Sequence, residues 1–456
     1  MNQTVEQQLQ GKKILFVNSP LDGHFNPLTG LAKYLLDTGC DVRWYTSTLF
    51  AEKLKHLSIP HYPFKRALDL NFTNLEQLHP ERKEIKDPIE KMNWDITNIF
   101  LKRSSEYFED IQEIQKSFPF DLVIGELSVT ALPIIRHLLK VPVVCIGIAP
   151  LAEDSEDLAP YGMGMLPPAD EKQRIQYAGL REHFVNVLMG KPIAVYTDIL
   201  THYGIKLPRK MTGIVDQVIT DSTLCLQIGI PEFEYKRSDI GKNIRFIGAL
   251  LPNAIEKHNQ PWYDDRLLAY NKVILVTQGT AEPDVTKLLE PTLKAFSESD
   301  TLVIATTGDF DTARLREQYP AKNLIIVDHI PFDEVMPYAT VYLTNGGYGG
   351  TMLSIKNKLP MVAAGMNEGK NEVCARIAYF NCGINLNTDL PTVEGIVRSI
   401  AEVSSNPIFR ESVSKLAAQF ATYDAHQLAA KYIAELFLSG TDLKSGLAAA
   451  DQVQIN

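Results

Sequence analysis

Short apolar runs separated by amphipathic segments recur along this chain in two series, and that alternation restricts the fold more than any other feature. In the first series, Lys12–Asn18 (KKILFVN), Asp41–Ser47, Asp121–Glu126 and Pro142–Ala149 read as strands. The segment Pro27–Gly39 reads as a helix, with Pro27 in its first turn and Gly39 just past its end. The second series runs through Asn271–Thr280, Leu302–Gly308, Asn323–Ile330 and Thr340–Gly347 to Pro360–Gly365. Apolar strands with helices between them mean parallel sheets of βαβ units. Between about Ile230 and Tyr263 the series is interrupted by a charged stretch with three prolines and two glycines. The expected organisation is therefore an α/β chain of two doubly wound domains. They occupy residues 1–235 and 263–425, with a linker at 236–262 and a helix and tail at 426–456. Ligands of such sheets bind outside the strand C-termini, so the two facing edges would line one cleft.

Composition removes several classes of function. Lys+Arg 45 against Asp+Glu 55 gives a net charge of −10 over 456 residues. No basic surplus points to nucleic acid or an anionic membrane as partner. The five cysteines are odd in number and form no C-x-x-C, which disfavours a disulfide framework or a zinc site. The polar N-terminus has no apolar core before Ile14, so no secretory leader is expected. The longest apolar stretches, such as Val141–Leu151, are far short of the ~20 residues of a membrane span. The expectation is a soluble cytoplasmic protein, in which the N-x-[ST] matches at Asn2 and Asn71 are chance.

Two stretches carry chemistry. The first follows the first strand: Ser19-Pro20-Leu21-Asp22-Gly23-His24-Phe25-Asn26-Pro27. A His in this loop, above the sheet edge, sits where a general base could meet a substrate hydroxyl. The alternative is a loop His that only caps the helix. A base of this kind needs a carboxylate to orient it and to stabilise the imidazolium. Glu126, at the end of DLVIGE, is placed to supply one, unless it is merely a solvated loop carboxylate; Asp22 is nearer in sequence.

The second stretch is Thr344-Asn345-Gly346-Gly347-Tyr348-Gly349-Gly350-Thr351. Four glycines in five residues at a strand-to-helix turn let the backbone approach a phosphate, and the helix N-terminus supplies N–H donors. Asn345 and Thr351 add side-chain donors, and Gln278-Gly279-Thr280 repeats the logic more weakly. A tight turn needing positive φ is the competing reading. Three look-alikes fail. The G-x-G-x-x-G pattern meets Met352 where its third glycine belongs. The P-loop-like Gly365–Asn371 is one residue short. Asp309-Phe310-Asp311 is a D-x-D expected by chance in an acidic chain. Without a clustered set of ligands, no metal is expected.

Taken in order, PLDGHFNPLTGLAKYL, DLVIGE…VPVV and HIPFDEVMPYATVYLTNGGYGGT…LPMVAAG resemble the family-1 glycosyltransferases of the GT-B fold. These are the bacterial macrolide- and flavonoid-type enzymes related to plant UDP-glycosyltransferases. The likeness covers nearly the whole chain. It implies two Rossmann-like domains facing a central cleft, with the C-terminal helix returning to the N-terminal domain. It also implies an inverting, metal-independent transfer in which His24 deprotonates the acceptor hydroxyl and Glu126, where the family usually has Asp, holds His24. The co-substrate would be a UDP-sugar, by default UDP-glucose, with no permanently bound cofactor. Its contacts would come from Gln278, Gly279, Thr280, His329, Ile330, Asn345, Gly346, Gly347, Gly349, Gly350, Thr351, Glu368 and Lys370. Plant members have His at Asn345, Trp at His329 and Glu at Leu353. Asn345 can still donate to phosphate and His329 can still stack on a base, whereas Leu353 cannot accept ribose hydroxyls. The family's sugar-reading Asp-Gln pair falls near Gly369-Lys370, where Glu368 or Glu372 would have to substitute.

The acceptor, an apolar hydroxylated small molecule such as a flavonoid, another phenolic or a macrolide, would bind the N-terminal domain. Its candidate contacts are Asn26, Trp94 and Phe100, and Tyr161, Met163 and Met165 in a Gly- and Met-rich loop. Competing readings are another GT-B activity, a nucleotide-sugar epimerase or a glycan-precursor transferase, and a nucleotide-sugar-binding protein that has lost catalysis. An intact His24 speaks against the last.

Overall fold

The computed structural model describes residues 4–70, 74–207, 209–251, 262–279 and 282–450, with side chains described to residue 438. Thr280 and the whole of Asn71's sequon lie outside these residues, as does the Asn2 sequon in part. The first sheet contains β1 (Lys13–Val17), β2 (Asp41–Thr46), β3 (His61–Pro63), β4 (Leu122–Glu126), β5 (Val143–Gly147), β6 (Leu224–Ile228) and β7 (Ile244–Gly248). Its order is β3-β2-β1-β4-β5-β6-β7. The second contains β8 (Lys272–Thr277), β9 (Thr301–Thr306), β10 (Leu324–Val327), β11 (Val341–Thr344), β12 (Met361–Ala363) and β13 (Gly383–Asn385), in the order β10-β9-β8-β11-β12-β13. Every paired strand is parallel. The central strands β1, β4, β5 and β6 are buried almost end to end, because helices cover both faces. That is why they read as unbroken apolar runs.

The strand order turns back on itself twice, between β1 and β4 and between β8 and β11. At such switch points the flanking helices leave on opposite faces and a crevice opens at the strand C-termini. His24 and Glu126 adjoin the first crevice; Gln278-Gly279 and Asn345–Thr351 adjoin the second.

Two boundaries differ from the sequence reading. The helix expected at Pro27 is α1, Asp22–Asp37, and holds Pro27 in its second turn. A first-turn N–H has no helical partner anyway, so Pro at the start is usual; here the missing N–H removes only the bond to the Gly23 carbonyl. Asp22 favours the earlier start, since its charge suits the helix N-terminus and Lys53 Nζ lies 2.7 Å from it. Part of the stretch read as linker, Ile244–Gly248, is the edge strand β7. Its short IRFIG pattern was hidden by the charged residues around it.

The helices that shape the site are α2 (Pro88–Asp95), α3 (Tyr348–Lys356) and α4 (Lys370–Tyr379). The final helix α5 (Ala425–Ala450) packs against α1, β7 and the N-terminal helix Val5–Leu9. The chain thus returns to its first domain. One apolar cluster runs continuously from Phe16, Phe25 and Trp44 through Ile230 and Phe233 to Leu275, Tyr342 and Ala429. All five cysteines are buried free thiols. Among the described residues, no helix is long and apolar enough to cross a membrane.

Candidate active site

His24 is in the first turn of α1, not in a free loop. Its Nδ1 lies 3.1 Å from Glu126 Oε2 and 3.0 Å from Ser128 Oγ. Glu126 is the last residue of β4 and is fully buried. Its Oε1 accepts the Ser19 N–H at 3.0 Å and the Ser128 hydroxyl at 2.7 Å; its Oε2 accepts the Ser128 N–H at 2.7 Å. Burial alone would push the Glu126 carboxyl up. The His24 ring beside it, with the donors of Ser19 and Ser128, outweighs burial and holds it below the usual carboxylate range.

These partners fix the imidazole. An ionised carboxylate accepts only, so the hydrogen on Nδ1 is assigned to face Glu126. In the neutral ring Nε2 then carries a lone pair. It has no partner among the described residues, on a ring whose side chain is about one-fifth exposed (22%). The longer Glu reaches His24 where an Asp is usual in the resembled family. Sequence reasoning missed Ser19 and Ser128, whose hydroxyls are 2.7 Å apart. The available signal was a serine two residues after the buried carboxylate, positioned to fold back onto it.

At the second crevice, α3 begins just after Gly347. The first helical bond of this turn runs from the Thr351 N–H to the Gly347 carbonyl. The N–H groups of Tyr348, Gly349 and Gly350 therefore have no helical partner and point out of the N-terminus. Each glycine serves a different need. Gly346 has φ +88, and a Cβ there would sit 2.6 Å from Cys374 Sγ. A Cβ on Gly350 would meet the Tyr342 hydroxyl at 2.5 Å, whereas one on Gly349 would enter open space. The left-handed backbone thus belongs to Gly346 and not to Gly349. Asn345 Nδ2 donates to the Gln278 carbonyl, tying the loops after β8 and β11 together; its second amide hydrogen remains for a ligand.

Several expected contacts are corrected. The Gln278 side chain turns inward: Oε1 accepts the Leu288 and Leu289 N–H groups, so only its backbone borders the crevice. Thr351 is fully buried and its hydroxyl donates to the Gly347 carbonyl at 3.0 Å, which removes it as a phosphate donor. Glu372 is 5% exposed and engaged on both oxygens, so it is not free to read a sugar. Other residues stay accessible. Gly279 has φ +74, and Ile330 is half-buried. His329 is exposed, with Nε2 2.8 Å from Asp309 Oδ2. Lys370, the first residue of α4, lies 2.7 Å from Glu368. Tyr348, unnoticed between glycines, sends its hydroxyl to the Ile228 carbonyl at 3.0 Å and links α3 to the end of β6.

Of the residues expected to meet an acceptor, Asn26 is half-buried in α1 and Trp94 half-buried in α2, edge-on to His79. Phe100 lies in a π-helical turn, Ile96–Leu101, and its carbonyl accepts the Thr130 hydroxyl at 3.1 Å. Such turns often mark functional sites. Tyr161 is half-buried, as is Met165, while Met163 is 37% exposed. Among the described residues, no group of three His, Cys, Asp or Glu side chains is placed to hold a metal ion.

Residues 290–436 match the family described as Erythromycin biosynthesis protein CIII-like, C-terminal domain. The chain is 28% identical over 415 residues to 4'-demethylrebeccamycin synthase of Lentzea aerocolonigenes, covering 91% of this chain and 97% of that protein. It is also 28% identical over 423 residues to UDP-glucosyltransferase 1 of Beauveria bassiana, covering 89% and 91%. In architecture it is similar to the calicheamicin glycosyltransferase CalG4, with a TM-score of 0.71 at 19% identity, over 94% of this chain and 98% of that one.

Proposed function

We propose that the chain, GT-B in architecture and similar over nearly its whole length to named glycosyltransferases, is a family-1 glycosyltransferase that moves a hexose from a UDP-sugar, by default UDP-glucose, to a hydroxyl of a lipophilic small molecule. The observation that carries this reading is the buried Glu126–His24 pair at the switch point of the first sheet. His24 Nε2 takes the acceptor's hydroxyl proton as the oxygen attacks the anomeric carbon. The bond to the diphosphate breaks, its electrons leave with UDP, and configuration at the carbon inverts. Glu126 stabilises the imidazolium that results. The free N–H groups at the start of α3, with Asn345, stabilise the charge growing on the leaving phosphate.

Gly279, His329 and Ile330 border the nucleoside, with the His329 ring offered to the base. Glu368 and Lys370 face the sugar. Asn26, Trp94, Phe100, Tyr161, Met163 and Met165 line the acceptor. Two similar proteins support this reading by name: one is 4'-demethylrebeccamycin synthase and the other UDP-glucosyltransferase 1. The test is mass spectrometry of products from UDP-glucose with a panel of flavonoids, simple phenols and macrolides. Addition of one hexose to an acceptor supports the reading. Conversion of the UDP-sugar without any acceptor would point to epimerisation instead.

A further inference from the structure

The Tyr161–Met165 loop belongs to the first half of the chain, yet its anchors lie in the second. Glu372 Oε1 accepts the Gly162 N–H at 2.9 Å and the Gly164 N–H at 2.8 Å. Asn371 Nδ2 donates to the Gly162 carbonyl at 2.6 Å. The other Glu372 oxygen accepts from Arg376 Nη1 at 2.9 Å. Arg376, only 2% exposed, also donates through Nε to Glu234 Oε1 at 3.1 Å. Glu234 accepts the Leu151 and Tyr235 N–H groups. A buried guanidinium between two carboxylates is an expensive way to join domains, since apolar side chains of similar volume often do so at no loss of stability. What this arrangement adds is a fixed acceptor for two backbone N–H groups of a loop.

The loop fits its seat closely. Gly164 has φ +62, and a Cβ there would lie 2.8 Å from Asn371 Cβ. The Tyr161 hydroxyl lies 3.5 Å from where a Cβ on Gly369 would stand. The other side of the same helical turn supports the glycine-rich turn: a Cβ on Gly346 would be 3.0 Å from the Lys370 carbonyl oxygen. One turn of α4 therefore touches both the loop that carries Met163 and the backbone after β11.

We propose that Glu372 is a positioning residue that holds the Tyr161–Met165 loop against the donor turn, so that an apolar acceptor meets a loop already set in place. This rests on the transferase reading above. An ordered loop spares the acceptor the entropy of arranging it, so the benefit appears in acceptor affinity and not in nucleotide affinity.

The test uses the full chain and avoids depending on Glu372→Ala, which leaves Arg376 buried with one partner fewer. Gly164→Ala pushes the loop off α4 while leaving every side chain of the ionic group in place, and Asn371→Ala removes one anchor. Gly164→Ala should raise the acceptor KM about tenfold as the anchoring bonds to a charged group are lost. The KM for the UDP-sugar should change by less than about twofold. Asn371→Ala should act in the same direction and less. Hydrogen exchange of the 160–166 segment gives a readout independent of turnover: slow in the natural chain and fast in Gly164→Ala. Rapid exchange in the natural chain, or an unchanged acceptor KM in a folded Gly164→Ala protein, would overturn the proposal. So would a parallel rise in both KM values, which is the mark of a general structural defect. If the natural chain shows slow exchange but transfers no sugar, the anchoring stands and the transferase reading falls.

Discussion

Glu126→Gln replaces one buried oxygen by an NH2 group, and the surroundings leave that group nowhere to go. The carboxylate accepts from Ser19 N–H and the Ser128 hydroxyl on one oxygen, and from Ser128 N–H and His24 on the other. Either orientation of the amide points donors at a backbone N–H. An unsatisfied buried donor costs about 1–3 kcal/mol, so a measurable fall in Tm is expected with the fold kept. The catalytic loss comes from the missing charge. A hydrogen bond from imidazolium to carboxylate at 3.1 Å is of the charged kind, worth about 1.5–3 kcal/mol. That corresponds to a roughly ten- to 150-fold fall in kcat/KM. Loss of the base itself, in His24→Ala, should cost roughly 10²–10⁴-fold. The assay is the initial rate of UDP release with a phenolic acceptor for both single variants and the double variant. Acting as a pair, they give a double variant no slower than His24→Ala. Multiplied losses would refute the pairing.

Three further perturbations separate the roles of the glycines and the buried acids. Gly349→Val places its side chain in open space in front of the α3 N-terminus; UDP affinity by calorimetry should fall at least about tenfold, ~1.4 kcal/mol, with Tm and acceptor binding little changed. Gly346→Ala has the reverse signature, because its φ of +88 and its contact with Cys374 Sγ tax folding; a loss of ~1–3 kcal/mol in denaturant melts is expected. Asp216 is buried beside Asp154, and burial first, then that neighbour, raise its pKa to about 6. The folded chain then holds the proton more tightly than the unfolded one, so stability falls as pH rises from about 4 to about 6. Asp216→Asn should flatten that fall by on the order of 3 kcal/mol, as read from urea melts across pH.

The architecture was legible because strands covered on both faces must be apolar at every position, and β1, β4, β8 and β11 carry that signature in the sequence. β7 was not, since five residues with an exposed Arg245 carry too little pattern against a charged background. Pro27 misdirected the start of α1 because its statistical place in the first turn outweighed the acidic start at Asp22. His24 and Glu126 were each legible as candidates near the C-terminal edge of one sheet, but that Glu126 holds His24 came from the family resemblance, since the residues alone left a solvated loop carboxylate open. The glycine-rich turn was visible as a type, but not its division of labour. Which glycine needs positive φ depends on Cys374 and Lys370, and which needs close packing depends on Tyr342. Glu372 was misread for the same reason. Its true partners, Gly162 and Gly164, are more than 200 residues away in sequence, and no local pattern announces a contact of that range.

The central claim is that His24 acts as the base of a sugar transfer, and the rate of acceptor-dependent UDP release by the natural chain and by His24→Ala, measured side by side at saturating UDP-glucose, tests it most directly. The expected result is release that requires the phenolic acceptor and falls roughly 10²–10⁴-fold in His24→Ala, while UDP affinity is retained. An acidic phenol, already ionised, should lose less than a neutral alcohol. Equal rates in the two proteins, or release that proceeds without any acceptor, would contradict the account.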